Sequence, residues 1–251
     1  MKRLYNGLLM TFGMYTVLPL PSNRWDENAL PLVMPLFPLC GVVLGGVWYA
    51  AARGVAALGW PLGLQAAAAA LLPWALSGFI HLDGFMDTAD AVCSRRPVEE
   101  KRRILKDSHV GAFGVIAFGV CLLVQFCAAQ ALLQRGTGLL ALWFIPVLSR
   151  GVVAAAMLRV PLWASQGFGA AFRKDSKPVH AVIACGWAVL CLAAAAAAGG
   201  WPLLAVLGVE LAVLCLTAWS VCRQLGGISG DLCGCILVLG EAAGLLAAAL
   251  L

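Results

Sequence analysis

From position 178 to position 209 the chain carries no aspartate, glutamate, lysine or arginine. One membrane crossing takes about 20 predominantly apolar residues. The stretch is long enough for two, with Gly199-Gly200-Trp201-Pro202 as the turn between them. The rest of the 251 residues repeats this pattern of long apolar runs and short polar breaks. Hydrophobic residues make up 62% of the chain, charged residues only 12%, and the mean hydropathy is +0.92. Soluble domains are roughly a quarter charged. Transmembrane barrels show weak alternation over about ten residues, not unbroken runs such as Ala181 to Ala198. The expected fold is therefore all-α, a polytopic integral membrane helical bundle.

Seven crossings are expected: Leu30 to Ala52, Trp60 to Ile80, Val110 to Gln134, Gly138 to Val160, Pro178 to Ala198, Trp201 to Cys222 and Leu232 to Leu251. The start, MKRLYNGLLMTFGMYTVLPLP, resembles a signal peptide but lacks a small-x-small cleavage site and ends in Pro-Leu-Pro. It reads as a short, retained, membrane-associated N-terminal helix. Of the ten cysteines, Cys121, Cys127, Cys185, Cys191 and Cys215 lie inside apolar runs as small hydrophobes, and Cys233-x-Cys235 is a poor metal signature.

With the N-terminus inside, one face receives Lys2, Arg3, Arg24, the six basic residues from Arg95 to Lys106, Arg159, Arg173, Lys174, Lys177 and Arg223. The other receives only Arg53 and Arg135. The positive-inside bias makes the loaded face cytoplasmic. The formal charge of +5 is thereby explained without a nucleic acid partner. Ten of the twelve acidic residues fall on that same face. The other two, Glu210 and Glu241, lie within crossings, as does Arg150. At 1.5 Å per residue all three sit roughly 15 to 18 Å deep, so Arg150 is expected to neutralise one of the acids as a structural network.

Three groups of residues on the inner face point to chemistry. Asp83, Asp87 and Asp90, in HLDGFMDTAD, are spaced i, i+4, i+7 and share one face of a helix continuing out of the second crossing. Like charges so placed repel, and a hard divalent cation such as Mg²⁺ would relieve them while binding substrate phosphates. The plain alternative is a solvated acidic helix end paired with Arg95, Arg96, Arg102 and Arg103. His81 lies on another side of the helix as a hydrogen-bonding neighbour. In KDSHVGAFG, Asp107 or Ser108 is placed to cap a helix whose Gly111 and Gly114 N–H groups admit an anion, with Lys106 and His109 beside it. In GGISGD, Asp231 offers a further carboxylate, and Gly227 and Gly230 allow close backbone approach; a flexible turn explains that segment equally well.

HLDGFMDTADAVCSRR (81–96), KDSHVGAFGV (106–115) and GGISGDLCG with Glu241 downstream resemble the cobalamin synthase family, the adenosylcobinamide-GDP ribazoletransferases. TVLPLP (16–21) and QGFGAAF (166–172) add to the likeness. Val17 and His109 stand where that family often carries arginine. The resemblance implies one membrane-embedded transferase domain over residues 1–251, with 81–109 as a cytoplasmic active-site loop in the bacterial inner membrane. It implies a Mg²⁺-dependent attack of the ribose hydroxyl of α-ribazole, or of its 5'-phosphate, on adenosylcobinamide-GDP, releasing GMP. Asp83, Asp87 and Asp90 would hold Mg²⁺ and diphosphate, with one of them or Asp107 as base. His81, Arg95, Arg96, Lys106, Ser108, His109, Gly111, Gly114, Gly227 and Asp231 would contact substrates. Membrane lipid is an implied partner, and a homo-oligomer or an association with other cobalamin-assembly enzymes is compatible with that setting. CDP-alcohol phosphotransferases are mechanistic neighbours with a different D-x-x-D-G-x-x-A-R pattern. A cation transporter would instead use Glu210 and Glu241 at mid-membrane depth.

Overall fold

The computed structural model describes residues 2–21, 25–165 and 167–251. Arg24, counted among the inner-face cations, and Gln166, in QGFGAAF, lie outside the described residues. The described chain is helical: α1 (Lys2–Tyr15), a 3-10 helix (Glu27–Leu32), α2 (Val33–Ala57), α3 (Leu62–Leu76), α4 (Ile80–Cys93), α5 (Val98–Ile104), α6 (Ala112–Arg135), α7 (Ala141–Arg159), α8 (Phe168–Lys174), α9 (Pro178–Leu225) and α10 (Gly230–Leu250). Among the described residues the only β pairing is an isolated bridge between Leu162 and Ile228. In hydrocarbon every backbone N–H and C=O must be satisfied within its own segment, and apolar runs of this length therefore become helices.

Among the described residues five elements are long and apolar enough to cross a membrane: Glu27–Ala57, α6, α7, α9 and α10. The pair α3 and α4 passes the same test together but is bent by 92°. A straight helix of α9's 48 residues would reach about 70 Å, more than twice the hydrocarbon thickness. Gly200 breaks it, at φ 62° and ψ −150°, a region essentially confined to glycine. Gly199, Pro202 and Leu203 share a cavity with Arg135, Gly138, Ala248 and Leu251, whereas Leu225 at the end of α9 accepts a hydrogen bond from Arg102 at the opposite end of the bundle. The limbs on either side of Gly200 are therefore antiparallel crossings, as expected from the Gly-Gly-Trp-Pro turn.

The second crossing departs from expectation. It does not run on to Ile80; α3 stops at Leu76, and Gly78 and Phe79 reverse the backbone at φ 62° and 60°. The aspartate-bearing α4 is thus a separate helix lying across the bundle rather than the outward continuation of a crossing. Residues 81–109, expected as a loop, are largely α4 and α5. Their apolar faces, with Leu82, Phe85, Ala91 and Leu105 buried, seat them on the bundle.

At the centre, α10 packs against α4, α6, α7 and α9. Small residues set the closest approaches: Gly41 and Gly45 of α2 lie directly against the carbonyls of Pro146 and Trp143 on α7. Arg150 of α7 donates to Glu241 of α10 at 2.6 Å, and Ser149 donates to the same oxygen at 2.8 Å. Arg150 and Glu241 are 1% and 2% exposed, so the expected pair exists and is shielded from lipid. Glu210 is fully buried nearby, with neither carboxylate oxygen hydrogen-bonded.

Candidate functional site

The site is assembled where α4 crosses the first turns of α10. A Cβ on Gly234 would lie 2.6 Å from the His81 carbonyl oxygen, and one on Gly84 would lie 2.7 Å from the Asp231 Cα. Only glycine at both positions lets the two backbones touch. That contact sets Asp231, in the first turn of α10, beside the acidic face of α4. Ser229 caps α10 through the Leu232 N–H at 3.4 Å and also reaches the Asp231 carboxylate at 3.4 Å.

The elbow before α4 is braced by the N-terminal TVLPLP segment. The Val17 N–H donates to the Leu76 carbonyl at 2.9 Å, and the Val17 side chain fills the space a Cβ on Gly78 would need. Val17 is thereby packed into the elbow as a wedge.

The three aspartates of α4 have different surroundings. Asp83 is exposed and lines a cavity, Asp87 is half-buried, and Asp90 is 8% exposed. Asp83, Asp231 and Asp90 all lie near enough to act electrostatically on Asp87. Among the described residues no lysine or arginine forms an ion pair with any of the three, and the nearby Arg103 pairs with Glu100 instead. The alternative of an acidic helix end neutralised by the 95–103 arginines is therefore not what the fold builds.

Asp90 is already engaged. Its two oxygens accept the N–H of Gly111 at 2.8 Å and of Gly114 at 2.9 Å. Its carboxylate thus caps the N-terminus of α6, with Gly111 rather than Asp107 or Ser108 at the cap position. The anion held by those two glycines is Asp90 itself, and a Cβ at either would collide with the carboxylate. Each oxygen keeps a free lone pair on its other side.

The remaining predicted residues fall into two places. Asp107 and His109 bond to one another in the exposed loop, ring nitrogen to carboxylate at 2.7 Å; that bond and the His109 N–H hold the Asp107 carboxyl below the usual carboxylate range. Ser108 is exposed beside them, as are Arg95 and Arg96 after α4. Lys106 turns to the face of Trp163, 5.3 Å from the ring centroid, where Arg102 also sits at 5.4 Å. Gly227 packs against the backbone of Pro161 to Trp163, and Ile228 donates to the Pro161 carbonyl at 2.8 Å. Gly227 therefore joins two loops rather than opening toward a ligand.

Sequence reasoning assigned no role to the cavity beside Asp83 and Asp231. It has a volume of about 180 Å³ and is walled by Tyr15, Phe37, Met157, Phe168 and Phe172 among others, with His81 in its lining. These residues come from α1, α2, α7 and α8, far apart in sequence. The only hint was the QGFGAAF segment, which supplies the two phenylalanines of α8.

Among the described residues no three His, Cys, Asp or Glu side chains converge closely enough to chelate an ion alone. Mg²⁺ asks for less, commonly one or two carboxylates with water and substrate phosphate completing the shell. The all-oxygen donors of Asp83, Asp87 and Asp231, uncompensated by any cation, fit that demand.

The family described as cobalamin-5-phosphate synthase matches residues 7–249 of this chain. An adenosylcobinamide-GDP ribazoletransferase of Clostridium botulinum (strain Alaska E43 / Type E3) is 35% identical, with 100% of this chain and 99% of the relative covered. One from Clostridium perfringens (strain ATCC 13124) is 38% identical, over 98% of each chain. One from Desulfitobacterium hafniense is 34% identical, over 96% of this chain and 94% of the relative. No solved structure matches.

Proposed function

This chain belongs to the cobalamin-5-phosphate synthase family, and from that premise we propose that it transfers the adenosylcobinamide phosphate moiety of adenosylcobinamide-GDP to a ribose hydroxyl of α-ribazole or its 5'-phosphate. The observation that carries the reading is that Asp87 lies within electrostatic reach of Asp83 and Asp231, the latter two lining a largely apolar aromatic cavity at the end of the bundle rich in lysine and arginine. In the reaction the hydroxyl oxygen bonds to the phosphorus next to the cobinamide. The bond from that phosphorus to the oxygen of GMP breaks, GMP leaves with the electron pair, and the hydroxyl proton passes to a carboxylate.

Bound Mg²⁺ would supply charge neutralisation for the diphosphate and the leaving phosphate. One or two of Asp83, Asp87 and Asp231 would hold it, with water and substrate phosphate completing the shell, and the proton acceptor is drawn from the same group. Asp107, whose carboxyl is held low by His109, is the weaker base. Asp90 fixes α4 to α6 and keeps the other aspartates in register. Lys106, Ser108, Arg95 and Arg96 lie on the exposed rim, where cations attract a polyanionic substrate. The basic end faces the cytoplasm of a bacterial inner membrane by the positive-inside bias. The transporter reading loses ground to the geometry: Arg150 closes on Glu241 within the packing, as a strut between α7 and α10.

The test is purified protein in detergent or nanodiscs with adenosylcobinamide-GDP and α-ribazole 5'-phosphate, read as GMP and cobalamin formed. GMP is expected only with both substrates and Mg²⁺, and Asp87→Asn is expected to lower the rate at least a hundredfold, about 2.7 kcal/mol of barrier. Undiminished GMP formation in a chelator would remove the metal from the proposal. Full activity in Asp87→Asn would remove the site.

A further inference from the structure

We propose that the cavity beside Asp83 and Asp231 is the binding site for the aromatic base of the attacking nucleoside, and that it holds the ribose hydroxyl against the carboxylates. The inference rests on the transferase reading above and adds to it which substrate part goes where, and why the enzyme selects it.

The lining has the chemistry of an aromatic slot. Tyr15, Phe37, Phe168, Phe172, Met34 and Met157 supply six of its fifteen lining residues. Phe168 and Phe172 stack at 6.2 Å and 21°. Across the cavity Tyr15 stacks on His81 at 5.7 Å and 16° and meets Phe37 at 4.4 Å. Phe37 is in turn held under Arg150, 5.6 Å from guanidinium to ring, so the buried Arg150–Glu241 pair braces the cavity wall. Aromatic faces and thioethers favour a flat, polarisable ring over an aliphatic chain.

Size and polarity narrow the occupant. About 180 Å³ admits a bicyclic aromatic ring and excludes a corrin macrocycle. Of the two bicyclic bases in the reaction, guanine carries several donors and acceptors, and each that faced the aromatic wall rather than the carboxylates would cost about 1–3 kcal/mol. The benzimidazole of a ribazole has one free ring nitrogen and otherwise apolar edges. His81 lines the cavity and is 6% exposed, and its Nε2 has no hydrogen-bond partner. A base with one free ring nitrogen leaves a single group to satisfy, where guanine leaves several. Asp83 and Asp231 supply the carboxylates of the lining, and the proposal sets the ribose against them.

Phe168 is 59% exposed, so Phe168→Ala removes part of the wall at little cost to folding. Phe172→Leu, a conservative change at a buried position, is the second variant. In Phe168→Ala the KM for α-ribazole 5'-phosphate should rise about two- to tenfold, with the KM for adenosylcobinamide-GDP within twofold of its starting value. Phe172→Leu should move the same constant in the same direction. Methyl α-ribofuranoside 5-phosphate, which has the sugar phosphate without the base, should be a poor nucleophile for the unaltered protein and lose little further in either variant. The inference is overturned if both KM values rise together, if only that of the GDP substrate moves, or if the base-free nucleophile loses as much as the ribazole. An unaltered protein that forms no GMP would defeat the transferase reading instead. Binding of 5,6-dimethylbenzimidazole to the protein in detergent, weakened by Phe168→Ala, then still decides what the cavity accepts; no saturable binding, or displacement only by phospholipid, would overturn it.

Discussion

Replacing Asp90 by asparagine has an effect on stability whose sign separates two roles for this residue. As a pure member of an acidic metal site, Asp90 contributes only repulsion in the metal-free protein, and removing its charge should leave stability unchanged or raise it by a few tenths of a kcal/mol for each like-charged neighbour on the helix. The structure predicts the opposite. Asp90 accepts two backbone N–H groups, from Gly111 and Gly114, at 2.8 and 2.9 Å. Hydrogen bonds to a charged group contribute about 1.5–3 kcal/mol each. Asparagine keeps one acceptor oxygen but turns an NH₂ toward the second N–H, so one bond is lost and a buried donor is left without a partner. Favourable charge–dipole interaction with α6, about 0.3–1 kcal/mol, is lost as well. Set against the relief of repulsion, a net loss of about 2–3 kcal/mol follows, or roughly 4–12 °C in Tm for a chain of this size. The assay is thermal unfolding in detergent with chelator present. Gly114→Ala should behave the same way without touching a carboxylate, because its Cβ would take the place of Asp90 and press on the Met86 carbonyl oxygen at 2.9 Å. If Asp90→Asn is as stable as the unaltered protein in chelator, the cap is not what Asp90 is for and the reasoning fails.

Two further predictions concern how the site is held. Arg150→Met should destabilise by about 3–5 kcal/mol, because it leaves the buried Glu241 without its cation, with only the Ser149 hydroxyl to satisfy it. The double variant Arg150→Met/Glu241→Leu should recover most of that loss, and a double-mutant cycle in detergent unfolding that shows additivity instead would refute the pairing. Gly234→Ala places a methyl group 2.6 Å from the His81 carbonyl oxygen, a backbone atom that cannot move aside alone. It should part α4 from α10, costing about 1–3 kcal/mol and at least tenfold in GMP release; normal turnover would show that the crossing does not position the aspartates.

Much of this architecture is a direct consequence of the sequence. Hydrocarbon leaves the backbone no partners but its own, so the apolar runs at 112–135, 141–159 and 230–250 had to be helices, and the glycines at 199–200 had to turn. Counting residues along those helices sets Arg150, Glu210 and Glu241 at a common depth, and the cost of a lone charge there pairs Arg150 with one of the acids; that the acid is Glu241 was decided by packing. The family likeness was likewise legible in contiguous motifs. Other features were not, because they depend on which surfaces meet. The i, i+4, i+7 spacing puts Asp83, Asp87 and Asp90 on one stripe, yet spacing cannot show that the N-terminus of α6 abuts Asp90 and donates one N–H to each of its oxygens. Gly111 and Gly114 read as a cradle for a substrate anion, and an anion does sit there, but the chain supplies it. The elbow at Gly78 and Phe79 has no hydropathy signature, so a crossing and a transverse helix looked like one run. The aromatic cavity gathers side chains from four helices distant in sequence, and only tertiary packing brings their faces together beside the carboxylates.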